Sequence, residues 1–248
     1  MRKSGTCHSF SLPCYNKVMD IRILELIEGA KQAEGLTVVI DVFRAFSLET
    51  CVLENHAERL FAVKEVDTAW SLKEKFPGAV LIGERHGRIL PGFDYGNSPA
   101  DVSKADFSGK TVIHTTSAGT LGLSLAEKAD ELLAGSLRNA KATASYIRLR
   151  QPDTVSLVCM GWEGKKSTEE DLLCAEYLKS LLEGSPMADI KERAYELRYQ
   201  EGKKFFDPAQ KDVFPEADFW MCIELDCCEF AITAEKREFG FEMEAGHA

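Results

Sequence analysis

Short apolar runs alternate with amphipathic stretches along most of the chain. Apolar runs bounded by turn residues predict buried strands, and apolar residues that recur every three or four positions predict helices. The predicted strands are residues 36–41, 59–64, 79–82, 110–115, 131–134, 154–160 and 230–241. The predicted helices are residues 19–30, 46–54, 66–76, 117–128, 139–150, 167–182 and 188–200. A capping-box pair, Ser167 with Glu170, marks the start of the sixth helix. This alternation predicts an α/β fold with mostly parallel or mixed sheets flanked by helices.

One stretch, residues 83–101, fits neither pattern and is punctuated by four glycines and two prolines. A loop of this length inside a compact domain is usually functional or disordered. Apolar residues such as Phe93 and Tyr95 can anchor it, which favours a functional loop over disorder. Its polar residues include Glu84, Arg85, His86, Arg88, Asp94, Asn97 and Ser98. The mixture suits an oxyanion held together with a metal, and the alternative is a solvated loop whose charges cluster by chance.

Composition narrows the partners of the 248-residue chain, whose net charge is -10 and whose pI is near 5.1. Nucleic acid is not expected as a partner, because phosphate backbones are bound by basic surfaces. A small anion could still be bound by a local cluster of arginines or by a metal. No apolar run approaches the roughly 20 residues that cross a bilayer, so no membrane partner is expected either.

The first 18 residues are polar and are predicted to form a flexible extension before a folded part at 19–248. The eight cysteines contain no C-x-x-C pair, so neither a disulfide scaffold nor a zinc site is indicated. Cys51, Cys159 and Cys174 lie in apolar surroundings and are predicted to be buried, reduced thiols. These features favour a cytoplasmic protein and leave open whether it forms a homo-oligomer.

Four polar segments lie where predicted strands end: residues 41–44, 84–85, 115–120 and 161–171. Ligands of α/β sheets gather at such carboxyl ends, so the agreement of four segments indicates a site there. Asp41 could bind a metal while Arg44 binds a phosphate, or the two could form a plain ion pair. Glu170 and Asp171 could bind magnesium, or could simply complement a helix dipole.

The third segment supplies hydroxyls, backbone N–H groups and a glycine at the start of a predicted helix. It suits anion binding, although an ordinary N-cap would use the same residue types. The candidates for substrate binding in this segment are Thr116, Ser117, Gly119 and Thr120.

Common phosphate-chemistry motifs are absent from the chain. It has neither the P-loop sequence nor G-x-G-x-x-G, and no cysteine lies six residues before an arginine. The triplet Arg85-His86-Gly87 matches histidine phosphatases, but it is internal and the only late histidine is His247.

The chain resembles the 2-phosphosulfolactate phosphatase family of coenzyme M biosynthesis. The resemblance rests on residues 40–45, on Gly83-Glu84-Arg85, on the run from Pro91 to Pro99 and on residues 115–120, with Glu170-Asp171 and residues 219–230 as later matches. It implies a magnesium-dependent phosphomonoester hydrolase with two similar α/β subdomains and a site between them, the boundary near residues 105–150. The family's usual substrate is 2-phospho-3-sulfolactate, and departures at residues 46–47 and 118–120 leave room for a closely related small organic phosphate.

The resemblance also suggests roles for the candidate residues. Asp41 and Glu84, with Asp171 as a third candidate, would hold Mg²⁺. Phosphoryl oxygens would be bound by Arg44 and Arg85, with Arg88 nearby. Asp94 would orient or deprotonate the attacking water. Asn97 and Ser98 would position the substrate or the groups around it.

Two other functions stay open from the sequence. A metal-independent histidine phosphatase would use His86 as its nucleophile. A non-catalytic sensor would bind an anionic metabolite without turnover, although the number of acidic residues near the expected site argues against it.

Overall fold

The computed structural model describes residues 19–248, so the predicted extension at 1–18 lies outside the described residues. Its strands are β1 Asp20–Glu25, β2 Gly35–Ile40, β3 Arg59–Ala62, β4 Val80–Arg85, β5 Arg88–Ile89, β6 Thr111–Thr115, β7 Ala129–Gly135, β8 Thr154–Cys159, β9 Ala231–Arg237 and β10 Gly240–Gly246. They form one sheet in the order β1-β8-β2-β7-β9-β10-β3-β6-β4-β5.

Helices connect most of these strands. The α-helices are α1 Leu26–Gln32, α2 Ala45–Glu54, α3 Val66–Lys75, α4 Pro99–Val102, α5 Gly119–Leu125, α6 Ala140–Arg150, α7 Glu169–Leu182, α8 Ile190–Glu196 and α9 Glu216–Cys222. Two 3₁₀ helices, Leu197–Tyr199 and Glu201–Phe206, follow α8. None of the described helices is long and apolar enough to cross a membrane.

The sheet contains two parallel groups joined by an antiparallel hairpin. Strands β1, β8, β2 and β7 pair in parallel, as do β3, β6 and β4. The hairpin β9–β10 pairs antiparallel with β7 on one side and β3 on the other. The predicted α/β fold with a mixed sheet is therefore confirmed, while the division into two subdomains stays a prediction.

Both faces of the interior strand β2 are buried. Val38 and Ile40 pack into one hydrophobic cluster with residues of α6 and α7, and Val39 packs into another with Phe46 of α2. Alternate side chains of a strand point to opposite faces, so a strand covered by helices on both sides is apolar throughout. This explains why residues 36–40 are apolar apart from Thr37, which is itself buried.

Four local predictions were wrong. The predicted strand 230–241 is a hairpin, because β9 turns at residues 238–239 and pairs antiparallel with β10. The predicted helix at 19–30 begins only at Leu26, because Asp20–Glu25 pairs in parallel with β8 and buries alternate side chains more deeply. The capping box at the start of α7 does not form, since the N-cap is Thr168 and it makes no side-chain capping bond. The segment 83–101 is not structureless, because Glu84 and Arg85 pair with β5 and a short helix follows Ser98.

Candidate active site

A narrow cavity lies where the carboxyl ends of β2, β4, β6 and β8 meet. Six residues predicted for the site line this cavity: Asp41, Arg44, Glu84, Asn97, Thr116 and Ser117. The other lining residues are Phe43, His86, Gly87, Ala118, Gly161, Trp162, Glu163 and Phe214. A wider groove beside α5, β7 and β9 contains none of the predicted site residues.

Asp41 directly follows β2 and is only 7% exposed. Its Oδ1 accepts the backbone N–H of Ala45 at 3.3 Å, at the first residue of α2. Burial, partly opposed by the Ala45 N–H and assisted by the negative charge of Glu84, raises the pKa of Asp41 to about 6. The carboxylate is therefore one that gains from a positive charge placed beside it.

Glu84 ties two loops of the site together. Its Oε1 accepts the N–H of Ser117 at 2.9 Å and its Oε2 accepts the N–H of Gly87 at 2.6 Å. Gly87 has a φ of +75°, and a Cβ there would come within 2.5 Å of Phe214, so only glycine fits this turn. The two bonds hold the Glu84 carboxylate in one orientation at the cavity wall.

Asn97 is held by a fully buried pair behind the cavity. The His114 ring lies 2.9 Å from Glu49 Oε1 through Nδ1 and 3.3 Å from Asn97 Oδ1 through Nε2. Because Oδ1 can only accept, His114 Nε2 donates to it, and the Asn97 amino group is left for the cavity. His114 and Glu49 have no solvent exposure, so this contact fixes the amide from inside the protein.

Arg44 forms a buried ion pair at the edge of the cavity. Its Nη1 lies 2.8 Å from Asp218 Oδ2, and its guanidinium also donates to the carbonyls of Val213 and Gly87. Asp218 Oδ1 accepts the hydroxyl of Ser98 at 2.7 Å. The charge of Arg44 is thus matched by Asp218, and Ser98 supports this pair without lining the cavity.

The turn into α5 uses its hydroxyls internally. Thr120 donates its hydroxyl to the Thr116 carbonyl at 3.0 Å and its N–H to the Thr116 hydroxyl at 3.4 Å. Gly119 lies so close to Asp41 that a Cβ would be 3.1 Å from Oδ2. Ser117 differs, because its hydroxyl is buried without a hydrogen-bond partner among the described residues and it lines the cavity. An unpaired buried hydroxyl is costly and is available to a ligand.

Asp171 joins the ends of two strands behind the cavity. Its Oδ1 accepts the N–H of Val42 at 2.8 Å and its Oδ2 accepts the N–H of Gly161 at 2.7 Å. Burial, followed by the charges of Glu170 and Asp41, raises the pKa of Asp171 well above its usual range. Asp171 does not line the cavity, and its two bonds give it a structural role in connecting β2 to β8.

Three more predicted residues lie away from the cavity. Arg85 donates to the carbonyls of Glu84 and Lys64 and to the Thr115 hydroxyl. Asp94 accepts the N–H of Leu81 at 2.8 Å and pairs with Lys73 at 2.9 Å. Arg88 is exposed on β5 and lines an adjoining groove. Arg44 also lines that groove, so the structure brings Arg44 and Arg88 to one groove but leaves Arg85 outside it.

His86 does line the cavity, and it is oriented by a carboxylate. Its Nδ1 lies 2.5 Å from Glu163 Oε1, while its side chain remains 79% exposed. The hydrogen bond from His86 lowers the pKa of Glu163. The other ring nitrogen has no protein partner among the described residues and is free for proton transfer.

Three functional side chains were missed by sequence reasoning: Glu49, His114 and Asp218. Two of them had a signal, because an ionisable residue inside an apolar strand or helix, such as His114 or Glu49, needs a buried partner. Asp218 stands among aromatic residues, and its pairing with Arg44 across 174 positions has no local signal.

Within residues 19–248, no group of three or more His, Cys, Asp or Glu side chains is arranged to hold a metal. Asp41 and Glu84 nevertheless line the same cavity and repel each other. Magnesium is commonly held by one or two carboxylates completed by waters and substrate phosphate oxygens. The pair therefore fits Mg²⁺ as a two-carboxylate site that needs the substrate to complete it.

The fold and the cavity together define an α/β enzyme with an acidic site at the ends of its strands. A model of the family described as 2-phosphosulpholactate phosphatase matches residues 21–233. Among similar proteins, a probable 2-phosphosulfolactate phosphatase of Carboxydothermus hydrogenoformans is 39% identical over 178 residues, covering 71% of this chain and 73% of the relative. One of the same name from Caldicellulosiruptor saccharolyticus is 37% identical over 220 residues, 79% and 89% of the two chains. Another, from Bacillus subtilis, is 29% identical over 190 residues, 75% and 81% of the two chains.

The chain belongs to the 2-phosphosulfolactate phosphatase family. The family is one of phosphoric monoester hydrolases, and the resemblance seen in the sequence is confirmed.

Proposed function

We propose that this protein hydrolyses the phosphate ester of 2-phospho-3-sulfolactate, or of a closely related small organic phosphate, in a Mg²⁺-dependent reaction. One observation carries the proposal: Asp41 and Glu84 meet in a single cavity of a chain that belongs to this phosphatase family. The names of the relatives suggest the substrate, and the residues of this cavity suggest how the chemistry is done.

Asp41 and Glu84 would hold Mg²⁺, which when bound neutralises negative charge on the phosphoryl oxygens. Phosphoryl transfer otherwise asks mainly for positioning and charge neutralisation. The amino group of Asn97 and the unpaired hydroxyl of Ser117 are donors that can bind phosphoryl oxygens. Arg44 lines the same wall, but its charge is matched by Asp218.

His86 is suited to move the proton. Glu163 holds its Nδ1, so the free ring nitrogen can take a proton from the attacking water. The water oxygen then forms the new bond to phosphorus, the bond from phosphorus to the ester oxygen breaks, and the leaving oxygen takes up the proton that His86 received. Asp94, first expected in this role, is engaged with Lys73 and Leu81 outside the cavity.

The His86–Glu163 contact also supports a second candidate function, a histidine phosphatase in which His86 attacks phosphorus itself. The two candidates differ in their need for metal. Activity that survives EDTA and is lost in His86→Ala would favour the histidine phosphatase, and activity lost in EDTA would favour the metal-dependent enzyme.

Substitution of Asp41 tests the proposed function. Asp41→Asn keeps the size of the side chain and removes its charge, so we expect phosphate release in Mg²⁺ to fall about a hundredfold or more. Asp67→Asn, on an exposed turn of α3, is the matched control and should behave like the wild type. Urea unfolding of both variants checks that they are folded. Wild-type turnover in folded Asp41→Asn would overturn the assignment.

A further inference from the structure

The cavity has few cationic groups available to bind a small polyanion. Asp41, Glu84 and Glu163 bring three carboxylates to the wall. Arg44 is already paired with Asp218, and the contacts of Arg85 lie elsewhere. 2-Phospho-3-sulfolactate carries a carboxylate and a sulfonate besides its phosphate, so this substrate needs a further cation in this region.

Lys204 lies next to the cavity, in the 3₁₀ helix Glu201–Phe206. Its Nζ lies 4.5 Å from the ring centroid of Trp162, 5.3 Å from that of Phe214 and 5.8 Å from that of Phe43. All three rings line the cavity. The ammonium therefore lies beside the aromatic part of the cavity wall, although Lys204 is not itself a lining residue.

The donors of Lys204 are unused. Among residues 19–248, its Nζ makes no hydrogen bond or ion pair, although an ammonium has three N–H donors. The neighbouring Glu201 is bonded to Lys166 at 2.7 Å instead. Glu170, the other nearby acid, has a buried Oε2 with no partner. Aromatic faces stabilise the positive charge of an ammonium without consuming its N–H donors.

Burial lowers the pKa of Lys204, opposed mainly by the charge of Glu170. A desolvated ammonium with free donors gains more from an oxyanion than an exposed lysine does, because the interaction is less screened. This makes Lys204 a stronger candidate than its exposed neighbour Lys203.

We propose that Lys204 binds the sulfonate group of the substrate and so determines specificity for a sulfonated phosphate ester. The proposal rests on the proposed function and adds the group that the enzyme selects. A sulfonate spreads its charge over three oxygens and loses less hydration than a carboxylate, which suits an aromatic-walled subsite. Its three oxygens also match the three donors of the ammonium.

The kinetic test compares substrates that differ only in this group. Phosphate release is measured for 2-phospho-3-sulfolactate, for 2-phosphomalate, which has a carboxylate in its place, and for 2-phospholactate, which has neither. In Lys204→Met we expect kcat/KM for the sulfonated ester to fall about ten- to a hundredfold more than kcat/KM for 2-phospholactate. Lys204→Arg should restore part of this preference, and Lys203→Met should match the wild type.

A binding measurement makes the test independent of turnover. Titration calorimetry gives the Kd of 3-sulfolactate, malate and lactate for the wild type, Lys204→Met and Lys203→Met. We expect sulfolactate to bind the wild type at least about tenfold more tightly than Lys204→Met, while lactate shows no such difference.

The outcomes separate this proposal from the proposed function. Turnover of the sulfonated ester with an unchanged preference in folded Lys204→Met would overturn the role of Lys204 alone. Lys204-dependent binding of sulfolactate without hydrolysis of any ester would support the subsite and overturn the hydrolase. Two results would show that Lys204 does not select a sulfonate. One is an equal loss of kcat/KM for all three esters in Lys204→Met, and the other is a larger increase of Kd for malate than for sulfolactate in that variant.

Discussion

The buried pair between Arg44 and Asp218 gives a prediction that can be worked out from the structure. The two side chains are 4% and 0% exposed and lie 2.8 Å apart. Asp218 Oδ1 also accepts the Ser98 hydroxyl at 2.7 Å and the N–H of Ala100 at 3.1 Å. Asp218→Asn keeps an oxygen for Ser98 and Ala100 but leaves the Arg44 charge without its counter-ion.

We expect this single substitution to lower the free energy of unfolding by about 3–5 kcal/mol, the usual cost of breaking a buried ion pair from one side. Arg44→Met with Asp218→Asn removes both charges, although the carbonyls of Val213 and Gly87 lose their donor. The double variant should therefore lose less stability than Asp218→Asn alone.

Urea unfolding at pH 7 measures both variants, with Glu28→Gln as the control. Glu28 and Lys31 also lie 2.7 Å apart, but their side chains are 74% and 50% exposed. An exposed pair contributes at most about 1 kcal/mol. If the free energy of unfolding of Asp218→Asn lies within about 1 kcal/mol of the wild-type value, as expected for Glu28→Gln, the buried pair does not stabilise this edge of the site and the reasoning is refuted.

Three further predictions concern buried residues in or beside the site. Burial raises the pKa of Glu170 to about 7 from 4.5, so folding favours the protonated form, and the free energy of unfolding falls as pH rises from about 4.5 to 7. Glu170→Gln should therefore unfold at a higher Tm than the wild type at pH 8 and at a similar Tm at pH 4. An unchanged Tm at pH 8 would contradict this. His114→Leu leaves Glu49 buried without its 2.9 Å partner, and urea unfolding should show a loss of about 1–3 kcal/mol or more, with a lower kcat where Asn97 is no longer oriented. Gly119→Ala places a Cβ 3.0 Å from Phe46 and 3.1 Å from Asp41. We expect the free energy of unfolding to fall by about 1–3 kcal/mol and phosphate release to be reduced, and unchanged values would contradict this.

The fold was predictable where the chain has buried parallel strands. Residues 36–40 and 155–159 have apolar side chains on both faces, with one polar residue each, Thr37 and Ser156, so their patterns identify strands without knowledge of their partners. Residues 20–25 were mistaken for helix, because this edge strand is partly exposed and its register depends on pairing with β8. The hydrophobic pattern within residues 20–25 cannot show that they pair with residues 154–159.

The candidate site was predictable at strand ends and less so elsewhere. Asp41 and Glu84 follow or end buried strands, and the fold brings both into the cavity. Arg85 follows Glu84 directly, yet in the extended backbone of β4 neighbouring side chains point in opposite directions, so only one of the two can face the cavity. Lys204 lies on a late 3₁₀ helix whose position depends on tertiary packing, which the sequence does not display.

Phosphate release from 2-phospho-3-sulfolactate, followed in Mg²⁺ and in excess EDTA, tests the central claim most directly. Asp41 and Glu84 form the acidic pair of the cavity, so we expect release in Mg²⁺, loss of release in EDTA and recovery when Mg²⁺ is restored. Release that is equal in Mg²⁺ and in EDTA, or no release from this ester by a folded protein, would contradict the account.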